Sequence, residues 1–237
     1  MGSLVNFTKK ETKMKRFLKL ATCALLLTQL AYADFTQNQK VRTSLDILND
    51  LGTQKLLNTK DTSEVKGIII IPEMVSGGLI ATTHSGDGIF IGRNDDNEWS
   101  SPIFVSFKGG GIGLQAGYKS TDLIILIKSR RSYAGLLNGK GQIDLSADAV
   151  ILGAGEKAGV MTDLPEISAW ATERGKSRGL FVGVSINTSL IVVDKQATFD
   201  YYDRMYDMED IYNNSPKESR YTKKLQEIAN KFFQYKK

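Results

Sequence analysis

Cysteine and histidine are nearly absent from this chain of 237 residues, with Cys23 and His84 the sole examples. One histidine excludes a histidine-rich metal site, and any Ser/His/acid triad would have to use His84 itself. His84 stands between Thr82-Thr83 and Ser85-Gly86, a context that predicts a surface position near a turn. Cys23 falls within an N-terminal leader-like segment, so the rest of the chain would hold no disulfide even in an oxidising compartment. It must therefore be stabilised by burial, for which roughly 200 residues in one domain suffice.

An excess of one charge is also missing once the leader is set aside. The formal +5 of the whole chain equals the balance of Lys9, Lys10, Lys13, Lys15, Arg16 and Lys19 against Glu11. Residues 34–237 carry equal numbers of basic and acidic side chains. Global electrostatics thus gives no reason to expect a nucleic-acid partner.

Long hydrophobic runs are lacking too. The apolar stretch Leu20 to Leu30 is well short of the roughly 20 residues a spanning helix needs. Its basic start and the small residues Ala31 and Ala33 are instead the anatomy of a secretory signal peptide over residues 1–33. Cleavage is expected between Ala33 and Asp34, favoured over lipoprotein processing at Cys23 because little apolar sequence precedes that cysteine. Met14-Lys15-Arg16 would also serve as the start of such a leader.

What is present is a helix-sheet-helix pattern. Val41, Leu45, Leu48 and Leu51 recur at helical spacing within about 38–58, and Leu225, Ile228, Ala229, Phe232 and Phe233 form a second apolar stripe within about 217–235. The first helix lacks the dense Lys/Arg face of an interfacial helix, so packing on the sheet is expected rather than membrane contact. Between them, over about 64–203, come short apolar runs cut by glycine: Gly67 to Ile71, Gly78 to Thr83, Gly88 to Ile91, Ile103 to Phe107, Ile112 to Tyr118, Leu123 to Lys128, Ala147 to Leu152, Gly179 to Ile186 and Leu190 to Val193. β-Branched content and short length predict an α+β domain built on an antiparallel β-barrel or sandwich. Leu123 to Ile127, apolar on both faces, reads as a central strand, and Ser132 to Leu137 before Asn138-Gly139 as a short helix. Asp87-Gly88, Asn94-Asp95-Asp96-Asn97 and Asn187-Thr188 read as hairpin connections.

The glycine run Gly109 to Gly117 invites a dinucleotide-binding reading, but Ile112, Leu114, Ala116 and Tyr118 alternate as a strand and no acid stands near residue 135. The glycines are expected to be structural, lying against a close neighbour. Asn94 to Glu98 lacks the ligand spacing of a calcium loop and reads as a solvated turn. Asp122, Asp144, Asp148 and Asp194 lie at predicted strand ends, and their spacing selects no acid/base pair. The densest cation cluster after the leader is Lys128, Arg130, Arg131 and Lys140. Such a patch can engage anionic lipid headgroups, or simply form a solvated loop with surface ion pairs.

Several blocks in order, Trp99-Ser100-Ser101-Pro102, Gly110 to Gly117, Thr121-Asp122, Ala147-Asp148-Ala149 with Gly153, and Ser177 to Ser185 with Tyr201-Tyr202, resemble the SYLF domain family. The resemblance spans about residues 60–203, and Lys66 to Pro72 is similar to the opening strand of that domain. It implies a lipid-binding module with no enzyme activity and no cofactor. Eukaryotic members bind phosphoinositides and some bind actin, whereas bacterial members are mostly secreted or envelope proteins. With a secretory leader, actin is not expected as a partner, and the expectation is an exported, periplasmic or envelope-associated domain over 34–237 that contacts anionic phospholipid through Lys128, Arg130, Arg131 and Lys140. The alternative is a periplasmic interaction module that docks another envelope protein through a sheet edge or the glycine face.

Overall fold

The computed structural model describes residues 37–52, 62–78, 81–112, 117–138, 140–145, 149–151, 166–172 and 189–234. The leader with Cys23, Asp148, the run Gly179 to Ile186 and the Asn187-Thr188 turn lie outside them.

The chain enters through helix α1 (37–52). Four long strands follow, β1 (Gly67–Gly78), β2 (Ala81–Gly92), β3 (Ile103–Ile112) and β4 (Gly117–Ile127). Helix α2 (Arg130–Leu137) leads to the short strands β5 (Gln142–Asp144), β6 (Ala149–Ile151), β7 (Ile167–Thr172) and β8 (Leu190–Val193). Helices α3 (Lys195–Tyr202), α4 (Met208–Tyr212) and α5 (Arg220–Phe232) close the chain. All eight strands lie in one sheet in the order β5-β8-β3-β2-β1-β4-β7-β6. Every neighbouring pair is antiparallel except β6 and β7. The α+β class with an antiparallel sheet and flanking helices is therefore the one adopted, as a single curled sheet resembling half a barrel.

Strand alternation divides the apolar side chains between the two faces of this sheet. On one face, Ile69, Ile71, Phe90, Val105, Leu123 and Ile125 pack beneath Tyr133 and Leu136 of α2 and Ile211 and Tyr212 of α4. On the other, Ile68, Ile70, Ile89, Phe104, Ile124 and Trp170 pack beneath Val41, Leu48 and Leu51 of α1 and Leu225, Ala229 and Phe233 around α5. Both terminal stripes read from the sequence thus cover the same face. The doubly apolar Leu123 to Ile127 is buried on both, between β1 and β7.

Four readings need correction. Asp87-Gly88 is not a turn: β2 continues through it, paired to β3 by Asp87 with Ser106 and Gly88 with Val105. Gly78 to Thr83 is not one strand, because β1 ends at Gly78 and β2 begins at Ala81. Ile112 to Tyr118 likewise divides into the end of β3 and the start of β4, with 113–116 outside the described residues. Gly109 to Gly111 instead pair along β2, opposite His84 to Thr82. Finally, His84 is not at the surface but 2% exposed, with Nδ1 2.7 Å from the Ser76 hydroxyl on β1.

The longest irregularity is a bulge in β1. Ile71 pairs with Leu123 and Met74 with Thr121, so β1 carries one residue more than β4 across this step. Pro72 has no N–H to give the ladder, and a bulge is where a central strand tolerates it. Glu73 takes φ 51°, in the left-handed region, and its N–H donates to Asp122 Oδ1 at 2.9 Å. The buried Asp122 therefore holds the bulge in place. Close helix approach comes from glycine: a Cβ on Gly67 would lie 2.9 Å from the Tyr133 ring, and one on Gly92 2.6 Å from Tyr212. The two tyrosines occupy the room those missing side chains leave.

Candidate functional site

β4 leaves the core at Lys128 and turns directly into α2, which brings part of the cation cluster to one edge of the domain. The turn is fixed from a distance by Glu166, at the start of β7. Its backbone carbonyl accepts the Lys128 N–H at 3.0 Å. Its Oε1 accepts the Ser129 and Ser132 hydroxyls at 2.6 and 2.5 Å and the Ser129 N–H at 3.2 Å. Ser129 stands at the N-cap without making a side-chain cap bond; Glu166 instead takes its N–H and places a negative charge beside the N-terminus of the helix, where such charge is favourable. Glu166 escaped sequence reasoning because its partners lie 34 and 37 residues away.

The four cations have different surroundings. Lys128 Nζ lies 2.5 Å from Glu64, and its side chain is only 20% exposed. The Arg130 guanidinium bridges Asp95 at 2.6 Å and Glu209 at 2.7 Å, with its carbon 5.0 Å from the centre of the Tyr212 ring. Burial disfavours the Arg130 charge, but the Asp95 hydrogen bond and the attraction of Tyr212, Asp95 and Glu209 outweigh it and raise the pKa. Arg131 and Lys140 are exposed, and no carboxylate among the described residues lies within ion-pair distance of either. Lys128, Arg130 and Arg131 therefore gather where α2 begins, two of them tied to the fold and Arg131 exposed, whereas the exposed Lys140 stands beyond the other end of the helix.

Asp95 belongs to the turn between β2 and β3. Asn94 Oδ1 accepts the Asp96 and Glu98 N–H groups at 3.1 and 2.9 Å, which shapes an Asx turn rather than a metal loop. No group of three or more His, Cys, Asp or Glu suited to a metal occurs among the described residues. Of the acids at predicted strand ends, Asp122 holds the β1 bulge and Asp194 caps α3 by accepting the Ala197 N–H at 2.9 Å. Asp144 ends β5.

Behind the cation patch runs a chain of hydroxyls. Tyr133 donates to the Lys66 carbonyl at 3.2 Å, the Tyr133 and Tyr212 oxygens lie 3.1 Å apart, and Tyr212 donates to the Arg93 carbonyl. Burial pushes the pKa of both tyrosines up, so they are neutral structural donors. The other polar pair, Ser76 with His84, is 4% and 2% exposed, and among the described residues His84 Nε2 has no hydrogen-bond partner. A base in a Ser/His pair is normally oriented by an acid on its second nitrogen. Among the described residues none is provided, and burial lowers the His84 pKa, favouring a neutral ring.

Comparison with known proteins gives a consistent picture. The model of the Ysc84 family, described as Las17-binding protein actin regulator, matches residues 108–232. The human SH3 domain-containing YSC84-like protein 1 is 27% identical over 199 residues, covering 81% of this chain and 56% of that protein. An SH3 domain-containing protein of Schizosaccharomyces pombe is 30% identical over 176 residues, covering 69% of this chain and 38% of its own length. Protein YSC84 of Saccharomyces cerevisiae is 28% identical over 156 residues, covering 64% and 32%. The chain therefore spans about half or less of the length of these relatives. No solved structure matches. The motif resemblance and the family match agree, and the chain belongs to the Ysc84, or SYLF domain, family.

Proposed function

We propose that this protein is a non-enzymatic, exported lipid-binding domain of the cell envelope that rests on anionic phospholipid. The observation that carries this reading is the exposure of Arg131, in the first turn of α2 just after β4, and of Lys140, beyond the other end of α2, with no carboxylate partner for either among the described residues. Each cation near an anionic surface contributes about 1 kcal/mol. Two free cations give about 2 kcal/mol, roughly a 30-fold preference for anionic over neutral membrane. Lys128 and Arg130 add less, because binding lipid would mean leaving Glu64, Asp95 and Glu209.

The test is flotation of residues 34–237 with phosphatidylglycerol-containing and pure phosphatidylcholine vesicles across a salt series. An anionic preference that shrinks as salt rises, and that falls roughly 30-fold in R131Q/K140Q but much less in K128Q, supports the reading. Equal retention by both vesicle types, or none by either, refutes it. A second reading, a protein-interaction module, is favoured by the family description as Las17-binding. It predicts specific capture of a protein partner that is indifferent to lipid composition.

A further inference from the structure

The large apolar side chains that remain exposed among the described residues are Phe199, at 37%, and Met205, at 65%. Both line one groove of about 430 Å³, within the size range of small-molecule sites. Leu136 and Leu137 from the end of α2 and Val193 from the end of β8 also line it, and these three are buried core residues. The opposite wall is made where α3 stops: Asp203 takes φ 53° as its C-cap, and the chain turns back through Arg204, Met205 and Tyr206 before α4. A left-handed residue at a helix end is a fixed turn, so this wall is built into the backbone.

The groove also carries charge. Lys195 and Arg204 line it, and Lys140 directly precedes its lining residue Gly141. Of the two acids present, Glu209 is engaged by Arg130, leaving Asp207. Apolar lining with cations along it complements an amphiphile that has a hydrocarbon chain and a negative head.

We infer that this groove takes one acyl chain of an anionic glycerophospholipid, with Phe199 and Met205 against the chain and Lys195, Arg204 and Lys140 near the phosphate. The inference rests on the lipid-binding reading and deepens it, since lipid is then held in a cavity as well as touched at a surface. Arg131 and Lys140 steer the domain to the membrane, and the groove retains it by a single chain.

The test uses residues 34–237 and lysophosphatidylglycerol below its micelle concentration, followed by calorimetry. Glycerophosphoglycerol, which is the head alone, and zwitterionic lysophosphatidylcholine are the comparison probes, and vesicle flotation runs in parallel. The expected result is one-to-one lysophosphatidylglycerol binding, at least tenfold weaker lysophosphatidylcholine binding and none of the head alone. F199S/M205S should weaken lysophosphatidylglycerol at least tenfold, and K195Q/R204Q should narrow the gap between the two lysolipids. Both apolar positions are exposed, so folding should survive; Met205→Glu, at the more exposed one, is the second variant if it does not. Vesicle binding without lysophosphatidylglycerol binding, or unchanged affinity in F199S/M205S and in Met205→Glu, overturns the groove and leaves surface binding intact. Lysophosphatidylglycerol binding without vesicle binding upholds the groove and removes the membrane-surface reading. Displacement of the lysolipid by the head alone, or by an acidic peptide as effectively as by lipid, also overturns the inference.

Discussion

Gly88→Ala sets local preference against packing in a way that fixes the sign of the outcome. Within a strand, alanine should be better than glycine by about 0.5–1 kcal/mol, because glycine loses more backbone entropy on folding. Gly88, however, lies in β2 beside the place where its register with β1 shifts, between Ile70 and Val75. A Cβ there would fall on the Ile70 carbonyl oxygen, 2.8 Å from its carbonyl carbon and 2.7 Å from Ile71 Cδ1. Two of those three atoms are backbone of a central strand, which cannot rotate away as a side chain can. Overpacking of a core costs about 1–3 kcal/mol, and a backbone obstacle belongs at the upper end. The net expectation is a loss of about 2 kcal/mol, or roughly 4–8 °C in melting temperature for a domain of this size. Thermal unfolding followed by far-ultraviolet circular dichroism, with urea titration alongside, measures it. Gly141→Ala is the control, since Gly141 has φ 65° but nothing within 4 Å of a Cβ, so that variant feels backbone strain alone, about 1–2 kcal/mol. A Gly88→Ala protein that melts at or above the wild type would show that β1 and β2 do not approach as described.

Three further outcomes follow from buried polar groups. Asp122→Ala should cost about 1–3 kcal/mol in urea unfolding, because the Glu73 N–H at the β1 bulge loses its acceptor; Asp122→Asn, which keeps an acceptor oxygen, should recover part of it. Arg93 is 4% exposed, donates to the Asn97 and Phe233 carbonyls and stacks over Trp99 at 4.6 Å. Arg93→Met should therefore destabilise by about 3 kcal/mol and speed hydrogen exchange in α5 before the sheet. Burial lowers the His84 pKa from 6.5, so below pH 6.5 the unfolded chain binds a proton that the folded one resists. Stability should rise with pH through the window just below 6.5, at no more than about 1.4 kcal/mol per unit, and its His84 component should be flat above. His84→Gln should remove that component, and an unchanged pH profile in this variant would refute the buried, neutral ring.

How far the sequence reveals this fold depends on the range over which each signal acts. Leu123 to Ile127 identified itself as central because apolar residues on both strand faces have one meaning, burial on both sides. The two terminal helices were equally legible, since Val41, Leu48 and Leu51 and the Leu225, Ala229 and Phe233 stripe follow the helical period. Asp87-Gly88 misled because glycine in a turn and glycine under a crossing backbone look the same locally, and only the β1 bulge distinguishes them. His84 misled for a related reason: its partner Ser76 lies eight residues back across a hairpin, and polar neighbours in sequence say nothing about the strand opposite. β7 went unread because Ile167-Ser168-Ala169-Trp170 mixes small and polar residues, yet Ser168 and Trp170 are buried. In the cation patch, charge type was legible but pairing was not, because Glu64, Asp95 and Glu209 come from three distant segments.

The distribution of apolar surface among the described residues then constrains where the proposed lipid contact could occur. Helix α1 packs as its sequence predicts: Val41, Leu48 and Leu51 are 0–2% exposed and lie against the sheet, not a membrane-facing surface. The other sheet face lies under α2 and α4. With the described parts of both faces packed under the protein's own helices, the membrane contact proposed above would fall, among the described residues, to the rims between elements. Cations alone there would give binding that salt erases. An apolar groove beside them makes a different prediction, a salt-resistant remainder that depends on Phe199 and Met205 and persists after Arg131 and Lys140 are neutralised. Measuring that remainder at high salt in R131Q/K140Q, and its loss when F199S/M205S is added, separates a domain that merely rests on charge from one that holds a lipid chain.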